Sequence, residues 1–203
     1  MHEHVFEKYN FLEKYPEHYL SNEETVTEAT TLPFNYICIN WIGHPEASKA
    51  FNKAIQLIEG LIFTIKFRLK GNPPEWFFDF NMPPCEAYRK ELKTKPEDRK
   101  WTVSVPVPDF ITEERVIHIR RVAQAKSEEK LSQIKFKKGK AKKVIQILNI
   151  WGYDTSKKKE KILRAYAKKN KLTIKGDYQE IYLNDMRRTK IDRLETILRF
   201  EVK

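Results

Sequence analysis

The residues best placed to do chemistry lie near the C-terminal end of the chain, in Tyr178-Gln179-Glu180-Ile181-Tyr182. Read as a strand, this segment has period two, which puts Tyr178, Glu180 and Tyr182 on one face and Ile181 with Leu183 on the other. The aliphatic face is expected to meet helices, leaving a carboxylate between two phenols to face a groove. In an apolar groove an ionised Glu180 is costly unless a cation or hydrogen-bond donors answer it, so the site would attract lipophilic cations or hold a glutamate poised for proton transfer. Glu86, in Met82-Pro83-Pro84-Cys85-Glu86-Ala87-Tyr88, supplies a second acid. It is expected in a loop after a proline-broken strand, where it would share acid and base duties with Glu180 across the groove. Trp41, Trp76, Trp101, Phe110, Trp151, Tyr153, Tyr178 and Tyr182 sit in or beside expected strands, and flat rings suit planar, hydrophobic or cationic ligands. Trp101 shares a face with Val103 and Val105 and reads as core.

Other chemistries are not indicated. There is no GxSxG, no HExxH and no phosphate-cradling glycine loop, so catalysis would have to be acid-base or run through a carboxylate. Cys38 and Cys85 stand far apart, neither in a CxxC pair, and read as reduced structural thiols. His2-Glu3-His4 lacks preorganised geometry, so no metal site is assigned and no cofactor is expected. The net charge of +11 is local: residues 126 to 175 hold 17 Lys or Arg against 4 acids, and the rest of the chain sums to −2. These lysines lack interleaved aromatics and match no nucleic-acid-reading motif, so solvated faces are expected rather than a nucleic-acid partner. No apolar stretch approaches the roughly 18 residues of a membrane span. The first residues alternate charge and aromatic where a signal peptide would be apolar, so a cytoplasmic protein is expected. The oligomeric state is not legible.

The elements that must position these residues follow from periodicity. Residues 1 to 34 read as an N-terminal arm of short pieces ending at Leu32-Pro33-Phe34. Residues 35 to 42 read as a strand, and the spacing of Ala47, Ala50, Phe51, Ala54, Leu57, Ile58, Leu61, Ile62 and Ile65 predicts a long helix ending by Gly71-Asn72-Pro73-Pro74. Strands are expected over 76 to 82 and 101 to 107, then a helix capped by Thr112. The second half repeats the order: a strand over 143 to 151, a helix over about 156 to 170, and strands over 178 to 183 and 194 to 202. Asn40-Trp41-Ile42-Gly43 and Asn149-Ile150-Trp151-Gly152 occupy the same strand-to-turn position in the two halves. The pattern describes an α+β protein of two βαββ modules in tandem, over about 35 to 125 and 143 to 203. Helices would cover one sheet face, with a groove where the uncovered faces of the halves meet.

On these residues the sequence resembles the GyrI-like small-molecule-binding proteins, in the form without a DNA-binding domain, over roughly residues 30 to 203. The most specific stretch is Gln179-Glu180-Ile181-Tyr182-Leu183-Asn184-Asp185-Met186-Arg187-Arg188-Thr189 followed by Leu194-Glu195-Thr196-Ile197-Leu198-Arg199, which is similar to the family's HEIYLSDPRRT…LKTILR ending. Thr64-Ile65-Lys66-Phe67, and Lys100-Trp101-Thr102 leading to Pro108-Asp109-Phe110-Ile111-Thr112-Glu113-Glu114, add to it. The resemblance implies a ligand cleft between halves, with the family's cleft glutamate at Glu180 and a hydrophobic or cationic small molecule as partner. One branch hydrolyses the cyclopropane of DNA-alkylating natural products. Where that branch carries PLEGLWW, this chain has Pro83-Pro84-Cys85-Glu86-Ala87-Tyr88-Arg89: Glu86 aligns, and Tyr88 and Arg89 stand in place of tryptophans.

Overall fold

A computed structural model describes residues 8–43, 49–89, 95, 98–150 and 153–203. Runs rich in β-branched residues form the long strands β2 (Asn35–Ile42), β4 (Lys100–Val107), β6 (Lys143–Ile150) and β8 (Glu195–Val202), with the shorter β1 (Thr27–Thr30), β3 (Cys85–Arg89) and β5 (Lys135–Lys138) and the nine-residue β7 (Ile174–Tyr182). They make one antiparallel sheet in the order β1-β6-β8-β7-β3-β4-β2-β5. Each half is βαββ, with one helix after β2 and before β3 and β4, and another after β6 and before β7 and β8, and the halves join edge to edge where β3 pairs with β7.

Helix α3 (Lys49–Gly71) buries Phe51, Ala54, Ile55, Ile58, Leu61, Ile62 and Ile65, the stripe that a period of 3.6 predicts, and lies over β2 and β4. Helix α5 (Tyr153–Lys169) lies over β6 and β8 and buries Leu163 and Ala167 against Tyr178, Leu198 and Phe200. Helix α4 (Glu113–Gln124) packs on α3; its cap is the expected one, with the Thr112 hydroxyl accepting from Arg115 N–H at 3.3 Å.

Residues 76 to 82 are not a strand. Prolines 73, 74, 83 and 84 on both sides remove ladder donors, and the segment's one bridge among the described residues pairs Phe80 with Tyr9. Asp79 instead anchors this segment to α3 through Lys66 at 2.9 Å and Lys70 at 3.5 Å. The strand that fills the inner position of the first half is β3, so Glu86 lies on a central strand and not in a loop.

The sheet is strongly curled. Strands β5 and β6 stand six spacings apart in the sheet order, roughly 29 Å if flat at about 4.8 Å each, while the chain from Lys138 to Lys143 reaches at most roughly 18 Å. Residues 31 to 34 make the parallel crossing from β1 to β2. The two crossings are tied together by Thr31 N–H to Lys142 O at 2.8 Å, Lys142 N–H to the Thr31 hydroxyl at 3.0 Å and Gly139 N–H to Phe34 O at 2.7 Å. A Cβ on Gly139 would sit 2.5 Å from Phe34 O and 2.9 Å from the Tyr36 ring, so only glycine permits this approach.

The segment before β1 is folded into the molecule. Helices α1 (Phe11–Lys14), capped by Asn10, and α2 (Pro16–Tyr19) place Phe11, Tyr15 and His18 against Phe34, with ring centroids at 5.5, 4.8 and 5.0 Å. They partly cover the sheet face opposite α3 and α5, which among the described residues carries no long helix and is otherwise helix-free.

Candidate functional site

Register decides what each side chain of the β3–β7 seam can reach. Ala87 pairs with Glu180 and Arg89 with Tyr178, whereas Glu86 pairs with Ile181 and Tyr88 with Gln179. Partners in a ladder share a face, so Glu86 and Glu180 point to opposite faces of the sheet. The expected acid pair does not form, and the two carboxylates cannot act on one bound molecule. The expected orientation of β7 is also reversed: Tyr178, Glu180 and Tyr182 lie on the helix-covered face, and Ile181 lies on the face closed by α1 and α2.

On the helix-covered face, aromatic rings pack closely. Trp41 stacks on Trp101 at 5.5 Å, Phe51 meets Trp41 at 4.7 Å and Tyr182 at 5.8 Å, and Arg89 lies over Tyr178 at 4.2 Å. Arg89 is itself held by Glu160 of α5 at 2.6 Å. Glu180 is half-buried on the floor between α3 and α5 and accepts from Tyr182 OH at 2.6 Å. Burial raises its pKa, and the hydrogen bond from Tyr182 and the charge of Arg89 oppose the rise. Trp76 and Phe110 form a separate group 5.6 Å apart, with Arg115 over Trp76 at 4.8 Å, and they belong to neither face of the seam. Trp151 lies outside the described residues; Tyr153 opens α5, and its side chain is also outside them.

The opposite face carries a buried polar network. Glu86, 0% exposed, accepts at Oε2 from Tyr88 OH at 2.5 Å and from Gln179 Nε2 at 2.9 Å, and Gln179 also donates to Tyr88 OH at 2.9 Å. Its Oε1 has no hydrogen-bond partner and lies 3.8 Å from His18 Nε2. His18 Nδ1 accepts from Leu32 N–H at 3.3 Å, so the neutral ring carries its proton on Nε2, the nitrogen facing Glu86. Arg199, 1% exposed, donates to Gln146 Oε1 at 2.8 Å and to His18 O at 2.5 Å. Burial lowers the pKa of Arg199 and of His18, and raises the phenols of Tyr19, Tyr36 and Tyr88 well above their ordinary value.

This network floors a cavity of about 230 Å³ that draws on both halves: Tyr36, Tyr88 and Ser104 from the first, Gln179 and Arg199 from the second, with His18 from α2. Ser104 is 2% exposed, and among the described residues its hydroxyl has no partner. The crossing segments roof the cavity and contribute Thr31, Leu32, Lys138, Lys140 and Lys142. Of the residues singled out by sequence as ligand-binding or catalytic, Tyr88 lines it and Glu86 lies directly behind; Cys38, read as a structural thiol, also lines it. Gln179, Arg199, His18, Tyr36 and Ser104 were not anticipated. One signal was available for Arg199: an arginine at the centre of the apolar run Ile197-Leu198-Arg199-Phe200 has to be buried with partners once that run is a central strand.

No protein-family model matches the chain, and no curated protein sequence matches it. Solved structures do. An uncharacterized conserved protein from Listeria innocua superposes with a TM-score of 0.85 at 22% identity, covering 97% of this chain and 100% of that one. A hydrolase from Listeria innocua gives 0.83 at 21% with the same coverage, and the EcmrR C-terminal domain gives 0.58 at 13%, covering 88% of this chain and 97% of that one. At these identities the likeness establishes the fold alone, an α+β arrangement of two βαββ modules in tandem. Among the described residues no helix is long and apolar enough to cross a membrane, and no cluster of metal-binding side chains occurs.

Proposed function

We propose that this protein binds a small molecule in the cavity on the helix-free face, between its two halves. The observation that carries this reading is the floor: the Ser104 hydroxyl is buried and, among the described residues, unpartnered beside an open volume, where buried polar groups are ordinarily satisfied. Unmet donors and acceptors on a concave, preformed surface are what a ligand's polar groups answer. Native mass spectrometry of the full chain, purified without denaturation, tests it. A retained molecule of small mass is expected, lost in Ser104→Leu, which fills the cavity. A chain that carries nothing and whose melting temperature is indifferent to a library of polar fragments would overturn the proposal.

A second reading rests on a different observation, the raised pKa of the half-buried Glu180 among aromatic rings on the helix-covered face. There Glu180 anchors a planar lipophilic cation, the partner that the family resemblance implies. Glu180→Gln should then weaken a cationic dye far more than a neutral one of the same shape, and equal loss for both sinks this reading.

A further inference from the structure

Resting on the helix-free cavity as the ligand site, we infer that its ligand is a compact phosphorylated polyhydroxyl molecule, held by its phosphate at the lysine-bearing roof and by its hydroxyls on the floor. The charge of the cavity decides the first half of this. Its lining carries Lys137, Lys138, Lys140, Lys142 and Arg199 against Asp177 and Glu201. Lys142 is paired with Glu201 at 2.5 Å, whereas Lys137, Lys138 and Lys140 have no ion pair among the described residues. The one buried carboxylate nearby, Glu86, is already engaged by Tyr88 and Gln179 and faces the His18 proton, so it offers a cation nothing further. Lys137 pairs with Tyr36 and so faces the cavity, whereas Lys138 pairs with Asn35 and turns its side chain towards Asp109, Glu113 and Glu114. An anion therefore meets the uncommitted Lys137 and Lys140 at the mouth and the Arg199 guanidinium below.

The lysines are also positioned, which surface lysines seldom are. Lys138 and Lys140 flank Gly139, whose backbone is fixed on Phe34 and Tyr36 by an approach that a side chain would prevent. Lys137 extends over the Tyr88 ring at 5.8 Å, the same residue whose hydroxyl bonds Glu86. Roof and floor are therefore one rigid construction and not a loop above a hole.

The floor decides the second half. Ser104 presents an unpartnered hydroxyl, and Tyr88, Thr102 and Gln179, whose protons are taken by Glu86, Asn40 and Tyr88, keep oxygens that accept from a ligand's hydroxyls. Leu32, Cys38 and Val144 add aliphatic lining, and the rings of Tyr36 and Tyr88 add apolar faces of the kind on which a sugar ring packs. Such a surface suits a ring that carries hydroxyls at its rim, and about 230 Å³ lies below the roughly 300–1,000 Å³ of drug-sized sites, so the body is compact.

Titration calorimetry of the full chain at low salt with glucose 6-phosphate, inorganic phosphate and glucose tests the inference. Glucose 6-phosphate is expected to bind more tightly than phosphate, and glucose weakly. The exposed pair Lys137→Glu with Lys140→Glu should weaken both anions by about tenfold or more. Ser104→Val, which replaces the hydroxyl with methyl groups, should weaken the sugar phosphate and spare phosphate. No binding of glucose 6-phosphate at millimolar concentration overturns the ligand class, as does binding that the lysine reversals leave untouched. Single-stranded DNA binding that the reversals abolish and Ser104→Val ignores would overturn it too, assigning the lysines to nucleic acid. If the sugar phosphate fails while a retained ligand still disappears in Ser104→Leu, the cavity stands as the site and only the phosphate assignment falls.

Discussion

Glu86 and Glu180 lie on neighbouring, directly paired strands, one ladder position apart, and their surroundings are opposite. Glu180 is half-buried among rings, takes one phenol hydrogen bond, and has its proton affinity raised by burial. Glu86 is fully buried, takes two hydrogen bonds on one oxygen, and belongs to a chain of groups running through His18 to Arg199. The difference teaches how a two-layer sheet divides its work. The helix-covered face answers a carboxylate with aromatic packing and a single cation, Arg89, itself tied to Glu160. The face left open by the helices needs cover from the arm and the crossings, and their imperfect cover leaves a polar cavity.

The comparison breaks hardest at Arg199. Arg199→Met keeps most of the volume but leaves Gln146 and the His18 carbonyl without a donor and Glu86 without its nearest buried cation. Removing one member of such a set costs about 3–5 kcal/mol, to be read as a lower urea midpoint at unchanged slope. Adding Glu86→Gln should recover part of that loss; strict additivity would show that the two charges do not sense each other. Gly139→Ala tests the crossing on the same face. The clash with Phe34 O should cost about 1–3 kcal/mol and loosen the lysine roof, so ligand affinity falls with stability. An unchanged urea midpoint would mean that the crossing shifts freely.

How much of this was legible in the sequence depends on which physical rule governed each feature. The long helix α3, the Thr112 cap, the strands β2, β4, β6 and β8 and the tandem βαββ order follow from local periodicity and capping, which residues carry on their own. Period two correctly separated Glu180 from Ile181. It could not say which set faced the helices, because β7 is buried on both sides: Tyr178 and Tyr182 are as enclosed as Ile181, and burial then gives no sign of direction. The same ambiguity hid β3. Cys85 to Arg89 mixes thiol, acid, small residue, phenol and guanidinium, while the aromatic run 76 to 82 has stronger strand propensity and is excluded only by the prolines around it. The cavity was illegible because it is assembled by crossings whose path depends on the curl of the whole sheet. The lysines read as a solvated face, which they are; that they roof a cavity is a tertiary fact.

The two faces should also differ in their response to pH, with signs that separate them. On the helix-free face His18 is held neutral, chiefly by burial, with Arg199 acting in the same direction and Glu86 and Glu17 against it. The unfolded chain takes up its proton first as pH falls below about 6.5, so folding loses stability progressively below that point. His18→Asn should flatten this part of the melting-temperature profile, and a profile identical to that of the unsubstituted chain would remove His18 from the account.

On the helix-covered face the sign reverses. Glu180 has a raised pKa, so the folded state binds its proton more tightly than the unfolded state does, and the stability this contributes is present below about pH 4.5 and lost as pH rises through the folded value. At neutral pH the charged Glu180 opposes folding. Glu180→Gln keeps an oxygen to accept from Tyr182 OH and removes the charge, so it should leave stability equal or raise it by on the order of 1 kcal/mol or less at pH 7. Below about pH 4.5 the two chains should converge. A loss at pH 7 would mean that ionised Glu180 is favourably compensated, with Arg89 outweighing burial. The two sides of the seam would then be more alike in their electrostatics than their packing implies.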